Sequence, residues 1–385
     1  MRDPENPVLT SAYHQITDRT RRFAERLVLS ARYKLTPRHK IIALSLRDHY
    51  RFGAYLMAAF AHRGYSFEVQ TPCAYRPKHK QMLRMGIGMV SVTDIYRDGD
   101  RKTLIHDHSH DDLPGGPEWR SKILLDYDYY GPFFEASTGH ETLFMPYFMH
   151  PSMYESGLYL EAIALRGNER NIRVFFAGTV AAGAYSHEFL WPYMNRHEII
   201  STVLTHFEGA VECITADTQI SEFLKRPHRI VLALTRQTSD VVEKHPLSQR
   251  EMLQFASRSD FFINPPGWRI PHSHNVIEAM SVGAIPILNY AALFDPPLED
   301  MKTCFSFTSK KQLQDKIDLA LSLPKSQIAE LRANVCRYYD EHLAPDAFFE
   351  QFQAISSKET TIRVHNSRYT GQAAYLRNLL SSTKG

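Results

Sequence analysis

Residues 260–288, DFFINPPGWRIPHSHNVIEAMSVGAIPIL, constrain the fold more tightly than any other stretch of the chain. They spell a short apolar strand over 260–263, a Pro/Gly loop, a helix, and a second apolar strand over 284–288. Pro265, Pro266 and Gly267 stop the first strand where its carboxyl end meets the helix. Ser273 stands where an N-cap belongs, and Val276, Ile277 and Met280 share one apolar side of the helix. Gly283 closes it. A strand–loop–helix–strand unit aims free backbone N–H groups at whatever lies above the strand ends, which suits a phosphate or diphosphate.

The same stretch resembles exostosin-like glycosyltransferases and related bacterial transferases of the two-Rossmann (GT-B) type. In that family a strand ends in Pro-x-Gly, a Glu-Ala pair follows on a helix, and Gly-x-x-Pro-Val/Ile opens the next strand. The matching positions are Pro265 and Gly267, Glu278 and Ala279, and Gly283, Ala284, Ile285, Pro286 and Ile287. The lead-in EMLQFASRSDFF, residues 251–262, resembles the family's helix and Ser-x-Phe strand. The likeness covers residues 229–307 well and the rest of the chain in outline. Where the family has a phosphate-contacting Arg three residues before the Glu, this chain has Asn275. The segment from Gly267 to Glu278 is also one residue longer than the family pattern. Diphosphate charge must then be met by Arg269, His272 or His274.

The resemblance implies an α/β chain with two Rossmann-like domains facing across a cleft. It implies transfer of a hexosyl or glycuronosyl group from a nucleotide diphosphosugar to a hydroxyl acceptor, a glycan or polysaccharide. The transfer would invert the anomeric carbon, with no bound metal and no cofactor. Glu278 would accept the ribose hydroxyls, against the plainer reading of a surface helix Glu. Gly267, Arg269, His272, Ser273, His274 and Asn275 would form the diphosphate loop, against a surface loop with incidental histidines. Gly178, in the strand-to-glycine entry Phe176-Ala177-Gly178-Thr179, would contribute on the donor side, with a close-packed turn as the competing reading. Arg196 resembles a family position near the sugar phosphate, but a solvated helix arginine is the favoured reading.

At 385 residues the chain exceeds one ordinary core and fits two domains. Hydrophobic residues at 43% and charged ones at 23% mark a folded globular protein rather than a disordered one. A net charge of +3 suits anionic substrates but is too small to argue for nucleic acid, and no aromatic-plus-basic RNA motif occurs. Cys73, Cys213, Cys304 and Cys336 are scattered without metal or disulfide spacing, which points to a reducing compartment. No apolar run is long enough to span a membrane, and MRDPENPVLT carries no apolar secretion core. The expected location is the cytoplasm. Residues 11–33 pattern as a basic amphipathic helix, either packed on the first domain or resting peripherally on the inner membrane face.

Four segments are expected: the helix within 1–38, an acceptor-side Rossmann-like domain over 39–168, a nucleotide-sugar domain over 169–345, and a C-terminal helix and tail over 346–385. KIIALSL, an apolar helix over 54–61 and a strand at 67–69 open the first domain. Residues 145–151 read as its last strand and exit, and 168–171 as the linker. IRVFFAGT then opens the second domain, with a helix expected over 193–205. Ser248 and Glu251 offer a capping box.

On the acceptor side the cluster His106, Asp107, His108, Ser109, His110, Asp111, Asp112 stands out. A His-Asp pair lies in a comparable place in the exostosin-like family, so Asp107 and His110 are candidates for the general base. A solvated turn and a bound metal are the competing readings. Asp48 and His49, in the loop after the first strand, are further acceptor-side candidates. Two functional alternatives stay open: an inactive nucleotide-sugar-binding or scaffold protein, and a metal-dependent hydrolase built on 106–112.

Overall fold

The computed structural model describes residues 40–46, 50–60, 63–70, 90–93, 101–107, 118–129, 142–180, 193–236, 247–267, 270–355 and 357–365. The amphipathic segment 11–33, the loop holding Asp48 and His49, His110, and Arg269 lie outside the described residues.

The first sheet is built from β1 (Lys40–Ser45), β2 (Tyr65–Gln70), β3 (Val90–Thr93), β4 (Lys102–His106), β5 (Ser121–Asp126), β6 (Thr142–Phe144) and β13 (Glu359–Arg363), in the order β3-β2-β1-β4-β5-β13-β6. β1 pairs in parallel with both β2 and β4, so the strand order reverses between β1 and β4. The helix α1 (Tyr50–Phe60) links β1 to β2 and is buried on every described side, which its Ala, Leu, Met and Phe content requires.

The second sheet takes β7 (Ile172–Val180), β8 (Val211–Ile214), β9 (His228–Arg236), β10 (Ser259–Asn264), β11 (Ile285–Leu288) and β12 (Phe305–Ser306). Its order is β12-β11-β10-β7-β9-β8, with parallel pairing throughout. Strands of a wholly parallel sheet are buried on both faces, which is why β10 and β11 read as continuous apolar runs. The expected α/β class, with two Rossmann-like sheets, holds for this chain.

Helices complete the second half: α2 (Pro151–Glu155), α3 (Leu158–Leu165), α4 (Arg196–His206), α5 (Gln249–Ser257), α6 (His274–Ser281), α7 (Lys310–Ser322), α8 (Lys325–Tyr338) and α9 (Pro345–Gln353). α4 begins at Arg196 rather than Tyr193 because Asn195 and Glu198 form a reciprocal capping box. The expected box of Ser248 and Glu251 is present at α5. Gly283 follows α6 at φ 77°, and a Cβ there would stand 2.8 Å from Cys336 Sγ. Only glycine fits that helix end.

Contacts divide the chain into two compact units, Met1–Leu125 with Ile355–Ile362, and Asp126–Ala354 with Arg363–Gly385. Residues 168–171 are strapped down rather than loose. Asn168 Nδ2 donates to Ser257 Oγ at 2.8 Å, and the Arg170 guanidinium donates to the carbonyls of Ser259 and Val282. Residues 145–150 belong to no strand: Met145 N–H still donates to the Arg363 carbonyl of β13 at 2.9 Å, and Pro146 then has no donor to continue the ladder. The strand expected there is the shorter β6 just before it. Among the described residues no helix is long and apolar enough to cross a membrane.

Candidate functional site

In an open parallel sheet ligands bind at the carboxyl ends of the strands, where the strand order reverses. In the second sheet that point lies between β7 and β10. β7 delivers Gly178 there, and β10 delivers Asn264 followed by Pro265, Pro266 and Gly267.

Gly267 folds the loop back on itself. Its N–H donates to the Pro271 carbonyl at 2.9 Å, and a Cβ would stand 2.5 Å from the Ile270 carbonyl oxygen and 2.9 Å from that of His272. The close backbone approach is thus made by the protein's own carbonyls. The loop delivers Ser273 in extended conformation at the start of α6, where its hydroxyl makes no cap to the helix. Reorienting the Asn264 amide lets its oxygen accept from Val276 N–H at 3.1 Å, so the strand itself caps the third residue of the helix.

The candidate side chains then divide. His272 turns inward, 2% exposed, with its ring centroid 4.2 Å from that of His365 and 4.8 Å from Phe294. Burial depresses its pKa to about 3, so this imidazole stays neutral. His274 stays at the helix start, stacked on Tyr147 with ring centroids 5.3 Å apart. Its Nδ1 lies 2.9 Å from the Phe148 carbonyl oxygen, which only accepts, so Nδ1 carries the proton. Asn275 directs its amide at β7, donating to the Ala177 carbonyl at 2.7 Å. A Cβ on Gly178 would meet that same amide nitrogen at 3.6 Å.

Glu278 lies one turn further along α6 and is 2% exposed. Its Oε1 accepts the backbone N–H of His150 at 2.9 Å. Burial pushes the carboxyl up to about 7, against the lowering effect of that amide. A surface helix Glu it is not.

Arg196 departs from its expected solvated position. It is buried at the first turn of α4, donating through Nε to the Pro266 carbonyl and through Nη1 to the Thr179 carbonyl, both at 3.3 Å. A guanidinium is thereby held against the two strand ends that flank the switch point. His150 had no sequence signal at all.

In the first sheet, Asp107 follows β4 and its N–H donates to the Ser45 carbonyl at 3.4 Å. It therefore sits at the carboxyl ends of β1 and β4, the reversal point of that sheet. Among the described residues no three His, Cys, Asp or Glu side chains gather as a metal site.

No family model matches the chain, and no curated protein sequence matches it. Several solved structures are similar over most of their length. Alr3699/HepE from Anabaena, in complex with UDP and glucose, is 10% identical, covering 82% of this chain and 98% of that one, with a TM-score of 0.41. AviGT4, a glycosyltransferase involved in avilamycin A biosynthesis, is 12% identical over 89% of this chain and 98% of its own, at a TM-score of 0.42. A glycosyltransferase from Rickettsia africae is 7% identical over 83% and 97%, at 0.39.

Proposed function

We propose that the chain is a glycosyltransferase that moves a sugar from a nucleotide diphosphosugar to a hydroxyl acceptor of glycan or polysaccharide type. One observation carries this reading: Glu278 is sealed on a helix that starts at the carboxyl end of β10, with buried Arg196 against the same loop. A carboxylate offers two acceptor oxygens and suits a ribose diol. A helix start and a guanidinium suit the adjoining diphosphate. In this reading Arg196, Arg269 and the start of α6 hold the diphosphate, with Gly178, Gly267, Ser273, His274 and Asn275 around it.

The chemistry follows from the charges. As the bond between the anomeric carbon and the phosphate oxygen breaks, negative charge grows on the departing diphosphate and the helix start stabilises it. A base on the acceptor side, drawn from Asp107, His110, Asp48 and His49, takes the proton of the attacking hydroxyl. Attack from the opposite face inverts the anomeric carbon, and the diphosphate is held without a metal. His272 enters as a packing residue of the loop rather than as a ligand.

Asn275 favours a second reading, an inactive nucleotide-sugar binder, because its amide is committed to Ala177 and brings no charge. Donor turnover measured with and without chelator separates the two, after a thermal-shift panel that starts with UDP and UDP-glucose, the ligands of the HepE structures. Turnover in chelator supports transfer, and stabilisation without turnover supports the binder. No stabilisation by any nucleotide or nucleotide sugar sinks both.

A further inference from the structure

The segment 148–150 lies along α6 and holds the same two side chains that the donor site needs. Phe148 accepts from His274 Nδ1 at 2.9 Å, and His150 N–H donates to Glu278 Oε1 at 2.9 Å. Positions 274 and 278 lie one turn apart on α6, about 6 Å along its axis, and the segment bonds one polar atom of each side chain. Oε2 is the second acceptor oxygen of the Glu278 carboxylate.

The His150 side chain anchors this segment. Its Nδ1 receives the Ser152 N–H at 3.4 Å, capping α2, and lies 3.0 Å from Gln249 Nε2 on α5. Ser152 Oγ stands 2.7 Å from the same Nδ1, so groups of both α2 and α5 meet at this one ring atom. Ser152 Oγ in turn donates to Gln249 Oε1. His150 is thus tethered to α2 and α5 through its ring and to α6 through its backbone.

We propose that His150 is the positioning residue of the nucleotide site, fixing the Glu278 carboxylate where a ribose diol meets it. This rests on the reading of Glu278 given above. Pre-organisation matters here because a carboxylate that can swing loses the geometric discrimination between a diol and a single hydroxyl.

The test compares dissociation constants of a nucleoside diphosphate and its 2′-deoxy form, using whichever of UDP, GDP or ADP binds the wild type most tightly. The expected wild-type preference for the ribose form is about tenfold or more, the range of one charge-assisted hydrogen bond. Glu278→Ala and His150→Ala should both collapse that preference towards one. His150→Asn, which keeps a helix-capping acceptor, should retain most of it. Gln249→Leu, which leaves the α2 cap intact, should lower it in part and covers the case of an unfolded His150→Ala. A preference lost in Glu278→Ala but intact in His150→Ala and Gln249→Leu overturns the positioning role alone. A preference unchanged in Glu278→Ala, or absent from the wild type, removes the ribose contact itself and the positioning role with it.

Discussion

The amide of His150 and the carboxylate of Glu278 meet at 2.9 Å across 128 positions of sequence. The bond joins a Pro-flanked segment to the helix that follows the Pro/Gly loop. Removing the carboxylate in Glu278→Ala should weaken nucleoside diphosphate binding by about 1–3 kcal/mol. Calorimetry on the folded variant checks this, and unchanged affinity takes Glu278 out of the site.

The same carboxyl sets a pH dependence. Burial raises it from the ordinary carboxylate value to about 7, so the folded state binds its proton more tightly than the unfolded chain does. Stability from this group is then fully present below about pH 4.5 and declines as pH rises towards 7, by roughly 3 kcal/mol at most. Glu278→Gln should flatten that stretch of the stability curve in urea titrations. Nucleotide affinity should move oppositely, rising through neutrality as the carboxylate becomes an acceptor. An identical pH profile in wild type and variant would exclude Glu278 as its source.

Arg196 should act on the diphosphate and hardly on the nucleoside. Arg196→Met is expected to lower affinity for a nucleoside diphosphate by about tenfold, the scale of one charge-assisted contact, and to leave the free nucleoside unaffected. Equal losses for both ligands mean that the guanidinium serves only to bind the Pro266 and Thr179 carbonyls.

Gly267→Ala tests the loop. The added methyl would meet carbonyl oxygens at 2.5 and 2.9 Å, neither of which sits on a flexible side chain. Overpacking of this kind costs about 1–3 kcal/mol, readable as a lower urea midpoint. Nucleotide affinity should fall with it, since the loop carries Ser273 to the helix start.

Turnover should survive EDTA if a helix start and basic side chains hold the diphosphate. Activity that disappears on chelation and returns with a divalent ion assigns the work to a metal instead.

Much of the second sheet was legible because its signals are local. The apolar runs around Phe261 and Ile287, the Ser248–Glu251 box and Gly283 each depend on neighbours within a few residues. The fate of individual side chains was not. His272, Ser273 and His274 are adjacent polar residues in the sequence, yet the tight turn at Gly267 sends the first into the core and leaves the third at the helix start. Arg196 looked solvated because nothing nearby in sequence shows that two strand-end carbonyls await it. His150 was invisible for the same reason: its partners Gln249 and Glu278 come from distant elements.

The place of β13 has a consequence for how the chain is made. Lys122 N–H reaches the Lys358 carbonyl and Val364 N–H reaches that of Asp126, so β13 runs beside β5 inside the first sheet. The first unit is thus assembled from both early and late sequence. At roughly 5–20 residues per second, a ribosome needs on the order of ten to fifty seconds after finishing β5 to deliver β13. Throughout that interval β5 is an open edge, ready to template the wrong strand. A nascent chain stalled before residue 355 should therefore carry a sticky amino-terminal half, and its capture by chaperones should fall once β13 has emerged.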